Sequence, residues 1–289
     1  MNDFRISVLI PCYNQEKHIR QTIEAIINQT YPPDEIIVVD DGSTDHSVEL
    51  IKQLPIKLIQ HETNKGPSIA RNTALQHSSG EIIIYIDADA YADKYMIAAL
   101  LKAYQFPHDG KLAGVTGRGI ETHIENIYDR WRSLHAVQDF GKKMRDRVPF
   151  PFGLCMSFYR DKLLEIGGFD PYFPINAGED FDIGLRLKKA NYWLRYEPKA
   201  IVYHQHSDTY DSLKKVQYNW YYWSYIAKKR NNSYPSTLFL GIIRRLFIDT
   251  LMDLLIYHDL RLIKINFDIF KIKVKALQKA LRCGNNLLK

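Results

Sequence analysis

The chain has 289 residues, 46% hydrophobic and 25% charged, the make-up of a folded globular protein with a sizeable core. Its three cysteines, Cys12, Cys155 and Cys283, are odd in number and far apart, which argues against a disulfide framework and for a reducing compartment. The formal charge of +6 is unevenly spread: from Arg261 onward eight Lys or Arg stand against Asp268 alone, so the basicity belongs to the tail and the first 260 residues sum to about −1.

A strand pattern begins at residue 5, leaving no room for a signal peptide. Residues 5–10 alternate and then turn apolar before Pro11: a first strand. Over residues 16–29, Ile19, Ile23, Ile26 and Ile27 fall at i, i+4, i+7 and i+8, an amphipathic helix that Tyr31-Pro32-Pro33 stops. Residues 36–39 are a short apolar strand running into Asp40-Asp41-Gly42-Ser43-Thr44-Asp45, a turn cluster that opens the next helix. Residues 56–59 read as a third strand, and Asn64-Lys65-Gly66-Pro67 as a loop with Pro67 at the first position of a helix. Residues 81–86 form a fourth strand, rich in isoleucine, that ends in Asp87-Ala88-Asp89.

Strands alternating with helices predict an α/β fold: a Rossmann-like, mostly parallel sheet between helices, with its ligand crevice beyond the carboxyl ends of the strands. Three of those ends carry polar clusters. A buried strand does not hold two acids without a partner, and a divalent cation carrying a phosphate would supply one, although an acidic pair also caps loops. Asp-Asp-Gly-Ser can accept hydrogen bonds from a base and a ribose, and Tyr13 offers a ring for stacking. No G-x-G-x-x-G follows the first strand and no Walker lysine is present, which argues against dinucleotide dehydrogenases and P-loop enzymes.

Between residues 117 and 152 the pattern is helical and rich in charge (Arg130, Arg132, Lys142, Lys143, Arg145, Arg147), a solvated helix face more readily than an anionic-acceptor patch. Residues 152–159 read as a strand with Cys155 in the core. Gly178-Glu179-Asp180-Phe181-Asp182 opens a helix, where acids suit the dipole and Asp182 can pair with Arg186. His204 and His206, two apart, share one face if they lie in a strand. Aromatics crowd residues 210–234, among them Trp220 and Trp223, to stack on sugars or to pack a helix on the sheet.

No uncharged apolar run is long enough to span a membrane. Beyond residue 238, Phe239, Ile242, Ile243, Leu246, Phe247, Leu251, Leu254 and Leu255 form a helical stripe opposite Arg244, Arg245, Asp249 and Asp253. Ile263, Phe267, Phe270, Val274, Leu277 and Leu281 follow at 4-3 spacing among the basic residues. The pattern suits an anionic membrane surface, with packing on the catalytic domain or a homodimer seam between these helices as alternatives.

Ser7-Val8-Leu9-Ile10-Pro11-Cys12-Tyr13-Asn14, Val38-Val39-Asp40-Asp41-Gly42-Ser43, Asn64-Lys65-Gly66 with Ala70-Arg71-Asn72, Asp87-Ala88-Asp89, Gly167-Gly168-Phe169-Asp170, Gly178-Glu179-Asp180 and His204-Gln205-His206 together resemble the family 2 glycosyltransferases with the A-type nucleotide-sugar-binding fold. The resemblance implies a catalytic domain over residues 1–235, with a nucleotide-sugar half to 116 and an acceptor half from 117, followed by a basic helical extension over 236–289. It implies Pro11, Tyr13, Asp41, Arg71 and Asp87 around the donor. Asp89 with His204 or His206 would bind Mn2+ or Mg2+, and Asp180 would be the catalytic base. Glu179, Trp220 and Trp223 would stand on the acceptor side.

A base on the acceptor and a cation on the leaving diphosphate describe one in-line displacement, hence inversion. The expected donor is a UDP-sugar and the acceptor a glycan or lipid-linked hydroxyl, with the enzyme cytoplasmic and peripheral on the inner face of the membrane. A sugar nucleotidyltransferase or a non-catalytic nucleotide-sugar-binding module are the alternatives. Nucleic acid is not an expected partner, because the strand-end acids would repel its phosphates.

Overall fold

The computed structural model describes residues 4–233 and 236–284. The chain divides into two compact units: Met1–Thr122 with Gln138–Asn176 and Ile183–Gln205, and His123–Val137 with Ala177–Asp182 and His206–Lys289.

The first unit is built on a nine-stranded sheet: β1 (Ile6–Cys12), β2 (Glu35–Asp40), β3 (Lys57–Gln60), β4 (Ile82–Ile86), β5 (Ala90–Ala92), β6 (Leu112–Glu121), β7 (Arg145–Val148), β8 (Cys155–Tyr159) and β9 (Trp193–His204). The order is β3-β2-β1-β4-β8-β6-β9-β5, with β7 paired to β9. The first four strands are parallel, as the alternation of strands and helices requires, with the short α2 (Ser47–Ile51) between β2 and β3 and the short α6 (Arg160–Glu165) following β8. Beyond β4 the sheet mixes directions: β8 runs antiparallel to β4 and β6, while β6 and β9 are parallel.

Alternation splits the apolar residues between two faces. Val8, Ile10 and Ile84 pack with Ile19, Ile23 and Ile26 of α1 (Ile19–Ile27) and Ile97 and Leu100 of α4 (Met96–Gln105). Leu9, Val39, Ile83 and Tyr85 pack with Ala70 and Ala74 of α3 (Pro67–Gln76) and Ile183 and Leu187 of α7 (Glu179–Lys189). Each large side chain so buried stabilises the fold by roughly 1.5–3 kcal/mol. Cys12 and Cys155 are buried in this core, and burial pushes both thiols up to about 12, so neither is a nucleophile at neutral pH.

The helical pattern expected between residues 117 and 152 holds only for α5 (Ile127–His135). β6 continues through Glu121, and the charged residues 145–148 form β7. Pairing with β9 overrides the local charge pattern: the buried Arg195 guanidinium on β9 grips Asp146 of β7 at 2.5 and 3.0 Å. β6 and β9 approach so closely that a Cβ at Gly117 would lie 2.3 Å from the Ala200 carbonyl oxygen, beside a register shift at Thr116/Arg118.

The second unit contains α5, α8 (Tyr210–Arg230), α9 (Ser236–Leu255) and α10 (Leu260–Gly284). Asn126 and Thr209 start α5 and α8 with capping boxes. Trp131, Leu213, Leu262, Ile265 and Ile269 form its apolar core. A buried polar chain runs beside them. Trp131 donates to Asn266 at 2.6 Å, Asn266 donates to Asp253 at 2.7 Å, and His135 lies 2.9 Å from Asp253 and 3.4 Å from Asp249. Arg245 closes the chain at 3.0 Å from Asp249.

This chain turns the acidic side of α9 inward. Asp249 and Asp253 are 5% and 0% exposed, whereas Phe239, Leu240, Ile243, Phe247, Leu251, Leu254 and Leu255 face solvent. On α10 the buried line is Leu262, Ile265, Asn266, Ile269, Lys273, Ala276, Leu277 and Ala280, which shares Leu277 with the expected 4-3 stripe and otherwise lies about one residue around the helix from it. Satisfied polar groups can occupy an interior line that hydrophobicity alone would give to apolar residues.

Lys273 lies over the rings of Trp131 and Tyr221, and burial pushes its ammonium down to about 8 against the pull of Asp249. Below that pH the lysine is charged in both states, and the folded state carries the desolvation cost; the cost disappears above the unfolded value of 10.5. Lys273→Met, which leaves Asp249 with Arg245 and His135, is therefore expected to raise the melting temperature at pH 7 by a few degrees. The gain should shrink between pH 8 and 10.5 in thermal melts followed by circular dichroism.

Candidate active site

β1 lies between β2 and β4, so the loops after these three strands share one edge of the sheet. Asn14, at φ 53°, accepts the Thr44 N–H at 2.8 Å and donates its own N–H to Ser43 Oγ at 2.9 Å, joining the β1 and β2 loops. Pro11 closes the strand edge, and the Tyr13 ring is left 43% exposed. Asp41 is buried and accepts N–H groups from Lys65 at 3.0 Å and Gly66 at 2.8 Å. His61 Nδ1 lies 2.6 Å from Asp41, and its Nε2 lies 3.0 Å from Thr73 Oγ1. Gly66 holds φ 90°, and a Cβ there would stand 2.9 Å from the Pro174 carbonyl oxygen, so a glycine lets this amide reach Asp41.

Asp87 follows β4 and takes Arg71 Nη2 at 3.0 Å. Arg71 itself is 1% exposed on α3, its guanidinium 5.3 Å from the centre of the Phe169 ring. Expected beside the donor, Arg71 thus stands behind Asp87 and holds it. Asp89 sits in the turn between β4 and β5, which is pinned from beneath by Thr22 Oγ1 donating to the Ala88 carbonyl at 2.9 Å.

Sheet register builds the next layer. Antiparallel β5 sets Ala90 opposite His204, and parallel β6 sets Glu121 beside it on the other side. His204 therefore lies between two carboxylates, with Nε2 3.5 Å from Asp89 and Nδ1 2.9 Å from Glu121. Burial opposes a charge on this ring, but Asp89 and Glu121 outweigh it and raise the pKa to about 10. Asp89 and His204 are a possible ligand pair for a metal ion. β9 ends at His204, so His206 lies beyond the strand, 3.3 Å from Asp208. Burial opposes the Asp208 charge, yet hydrogen bonds from His206 and Arg132 hold its carboxyl below the usual range. Neither His61 nor Glu121 stands out in the sequence: each gains its partner from strand neighbours distant along the chain.

Asp180 lies in the first turn of α7, where its Oδ1 accepts the Phe181 N–H at 2.7 Å. Glu179 and Asp182 are buried at 4% and 1%, Asp182 accepting Asn231 Nδ2 at 2.7 Å, whereas Asp180 is the partly exposed acid of the turn. A Cβ at Gly178 would meet Trp223 Cβ at 2.7 Å, so α8 packs directly on the start of the turn. Trp220 packs edge-on against Phe181, with ring centres 6.4 Å apart. Both tryptophans are half-buried.

A mixed α/β sheet with acids clustered past its parallel strands is the fold of a glycosyltransferase domain. The chain belongs to glycosyl transferase family 2, whose model matches residues 7–167. Poly-beta-1,6-N-acetyl-D-glucosamine synthase of Staphylococcus epidermidis is 25% identical over 252 residues, 79% of this chain and 59% of the relative, so the chain spans under two thirds of that protein. The mannosyltransferase PcManGT of Pyrobaculum calidifontis, in complex with GDP-Man and Mn2+, superposes with a TM-score of 0.61 at 20% identity, covering 100% of this chain and 79% of that one. S. aureus TarS 1-349 in complex with UDP-GlcNAc gives 0.56 at 19%, covering 81% and 69%. At these identities the likeness is one of fold.

The His204 ring yields a signed pH dependence. A pKa raised from 6.5 to about 10 gives stability that is fully present below 6.5 and lost as pH rises through 10. In melts run with chelator, the advantage of the wild type over His204→Gln is expected to narrow steadily from neutral pH to about 10. A constant gap would mean that the ring is neutral throughout.

Proposed function

We propose that the chain transfers a sugar from a UDP-sugar to a hydroxyl of a glycan or lipid-linked acceptor, with inversion and with a divalent cation held by Asp89 and His204. The observation that carries the metal reading is the line Asp89–His204–Glu121. A carboxylate with an imidazole nitrogen is a donor set that suits Mn2+, and metal-binding histidines commonly have their second nitrogen held by a carboxylate, as Glu121 holds Nδ1 here. Such a cation would neutralise the diphosphate leaving group.

The chain's own residues supply the rest of the reading. Tyr13 stacks on the base beside Pro11, Asp41 accepts its N–H, and Asp87, fixed by Arg71, takes the ribose. Asp180 accepts the proton of the acceptor hydroxyl as its oxygen bonds to the anomeric carbon and the bond from that carbon to the diphosphate oxygen breaks. Glu179, Trp220 and Trp223 belong to the acceptor side. UDP-linked N-acetylglucosamine is the donor to test first, given the polymer named for the staphylococcal relative and the UDP-GlcNAc bound by TarS. The work is set at an anionic membrane surface, since many glycan acceptors are lipid-linked. No described helix is long and apolar enough to cross a membrane.

Two measurements bear on these roles. By calorimetry, Asp89→Asn is expected to lose Mn2+-dependent UDP binding, and Glu121→Gln to weaken Mn2+ affinity by about 10- to 100-fold. Unchanged affinity in Asp89→Asn removes the metal assignment.

Asp180→Asn should keep UDP binding, while release of UDP from UDP-N-acetylglucosamine in the presence of glucosamine-polymer acceptors falls by roughly 10²-fold or more. Full turnover in that variant would move the base elsewhere.

A further inference from the structure

α9 is folded with its polar side inward. Asp249 and Asp253 are buried on His135, Arg245 and Asn266, and Ile242 is buried alongside them. Outward, Phe239, Leu240, Ile243, Phe247, Leu251 and Leu254 are 43–70% exposed. They recur at helical spacing over residues 239–254, about 23 Å of helix at 1.5 Å per residue. A helix surrounded by water would turn its acids out and its phenylalanines in; here the acids are fully engaged inside, so the apolar face has no polar alternative to present.

The exposed charge of α9 and α10 has one sign. Arg244 stands within it, and Arg261, Lys264, Lys271, Lys275, Lys279 and Arg282 are exposed on α10 or at its start. Among the described residues of α9 and α10 no carboxylate is exposed: Asp249 and Asp253 are buried, and Asp268 is half-buried, accepting from Tyr210 at 2.8 Å. Lys264, Lys271, Lys275 and Arg282 follow at intervals of 7, 4 and 7, one stripe along α10, with exposed Phe267 and Leu281 at its border.

We propose that the outward face of α9 inserts into the headgroup layer of an anionic lipid bilayer, with the cations of α9 and α10 on the lipid phosphates. An in-plane helix of this kind buries its apolar face by about 5–10 Å, and each cation near an anionic surface adds to the attraction. A second copy of the chain fits less well. A two-fold contact would set this cationic surface against itself, with no exposed acid on either helix to pair with it. The inference names the face for the membrane-surface setting proposed above and is independent of the transfer chemistry.

The test is flotation of the full chain with vesicles of phosphatidylcholine alone and of phosphatidylcholine with phosphatidylglycerol. It compares the wild type, Phe247→Asp/Leu251→Asp, and Lys271→Ala/Lys275→Ala, with light scattering of each protein in the absence of lipid. Both apolar positions are exposed, so the aspartate variant should melt like the wild type. The wild type is expected to float with the anionic vesicles only and to be released by salt. The aspartate variant should lose about tenfold or more of that binding, and the alanine variant should bind with a shallower salt dependence. If the aspartate variant floats like the wild type, the α9 face is wrong while the membrane setting stands. If the wild type ignores both vesicles, both fall. A lipid-free dimer that the aspartate pair dissociates gives the face to a second copy and overturns the inference.

Discussion

Because β1, β2 and β4 are covered on both faces, a charge along them would have to be paired in the interior, and β1 and β4 carry none. The acids that the chain needs collect where these strands end: Asp40 and Asp41 at the end of β2, Asp87 and Asp89 after β4. There the sheet itself provides the partners. Backbone amides of the Lys65 loop meet Asp41, Arg71 rises from the helix before β4 to meet Asp87, and β9 brings His204 to Asp89. A parallel sheet with helices on both faces thereby concentrates its electrostatics along one edge, and that edge is where a nucleotide-sugar donor would find both hydrogen-bond acceptors and a cation.

That logic explains which parts of the first unit were legible in the residues. Four parallel strands with covering helices follow from short apolar runs alternating with 3.6-residue periodicity, and the strand-end acids follow from where those runs stop. Glu121 and His61 could not be found that way. Glu121 matters because β6 neighbours β9, an adjacency between strands about seventy residues apart that no local pattern encodes. The charged stretch after residue 117 misled for the same reason: its Arg145, Asp146 and Arg147 belong to β7, and Arg195, the partner of Asp146, lies far along the chain.

In the second unit the limit was different. The apolar periodicity of α9 and α10 was read correctly as helical, but a lipid surface, the catalytic domain and a second copy all remained open as what the apolar side meets. The interior contains Asp249, Asp253, Asn266, Lys273 and His135, joined so that each acid has a donor. Partners on α5, over a hundred residues earlier, decide which side of α9 turns inward. Patterning identifies a helix and leaves its rotation to such long-range polar contacts.

The ladder that places His204 also limits how the chain can change in length. His204 is registered simultaneously to Ala90 and to Glu121, and only three residues separate it from Ala200, whose carbonyl presses on Gly117. One residue inserted in that short stretch would turn the imidazole to the opposite side of the sheet and take it from both carboxylates at once. The irregularity already present at Thr116/Arg118 lies upstream, where the ladder can absorb it before the critical register begins. Insertions and deletions are therefore tolerable in loops such as the one around Gly110, where a Cβ would meet nothing, and intolerable across the last turn of the β6–β9 ribbon.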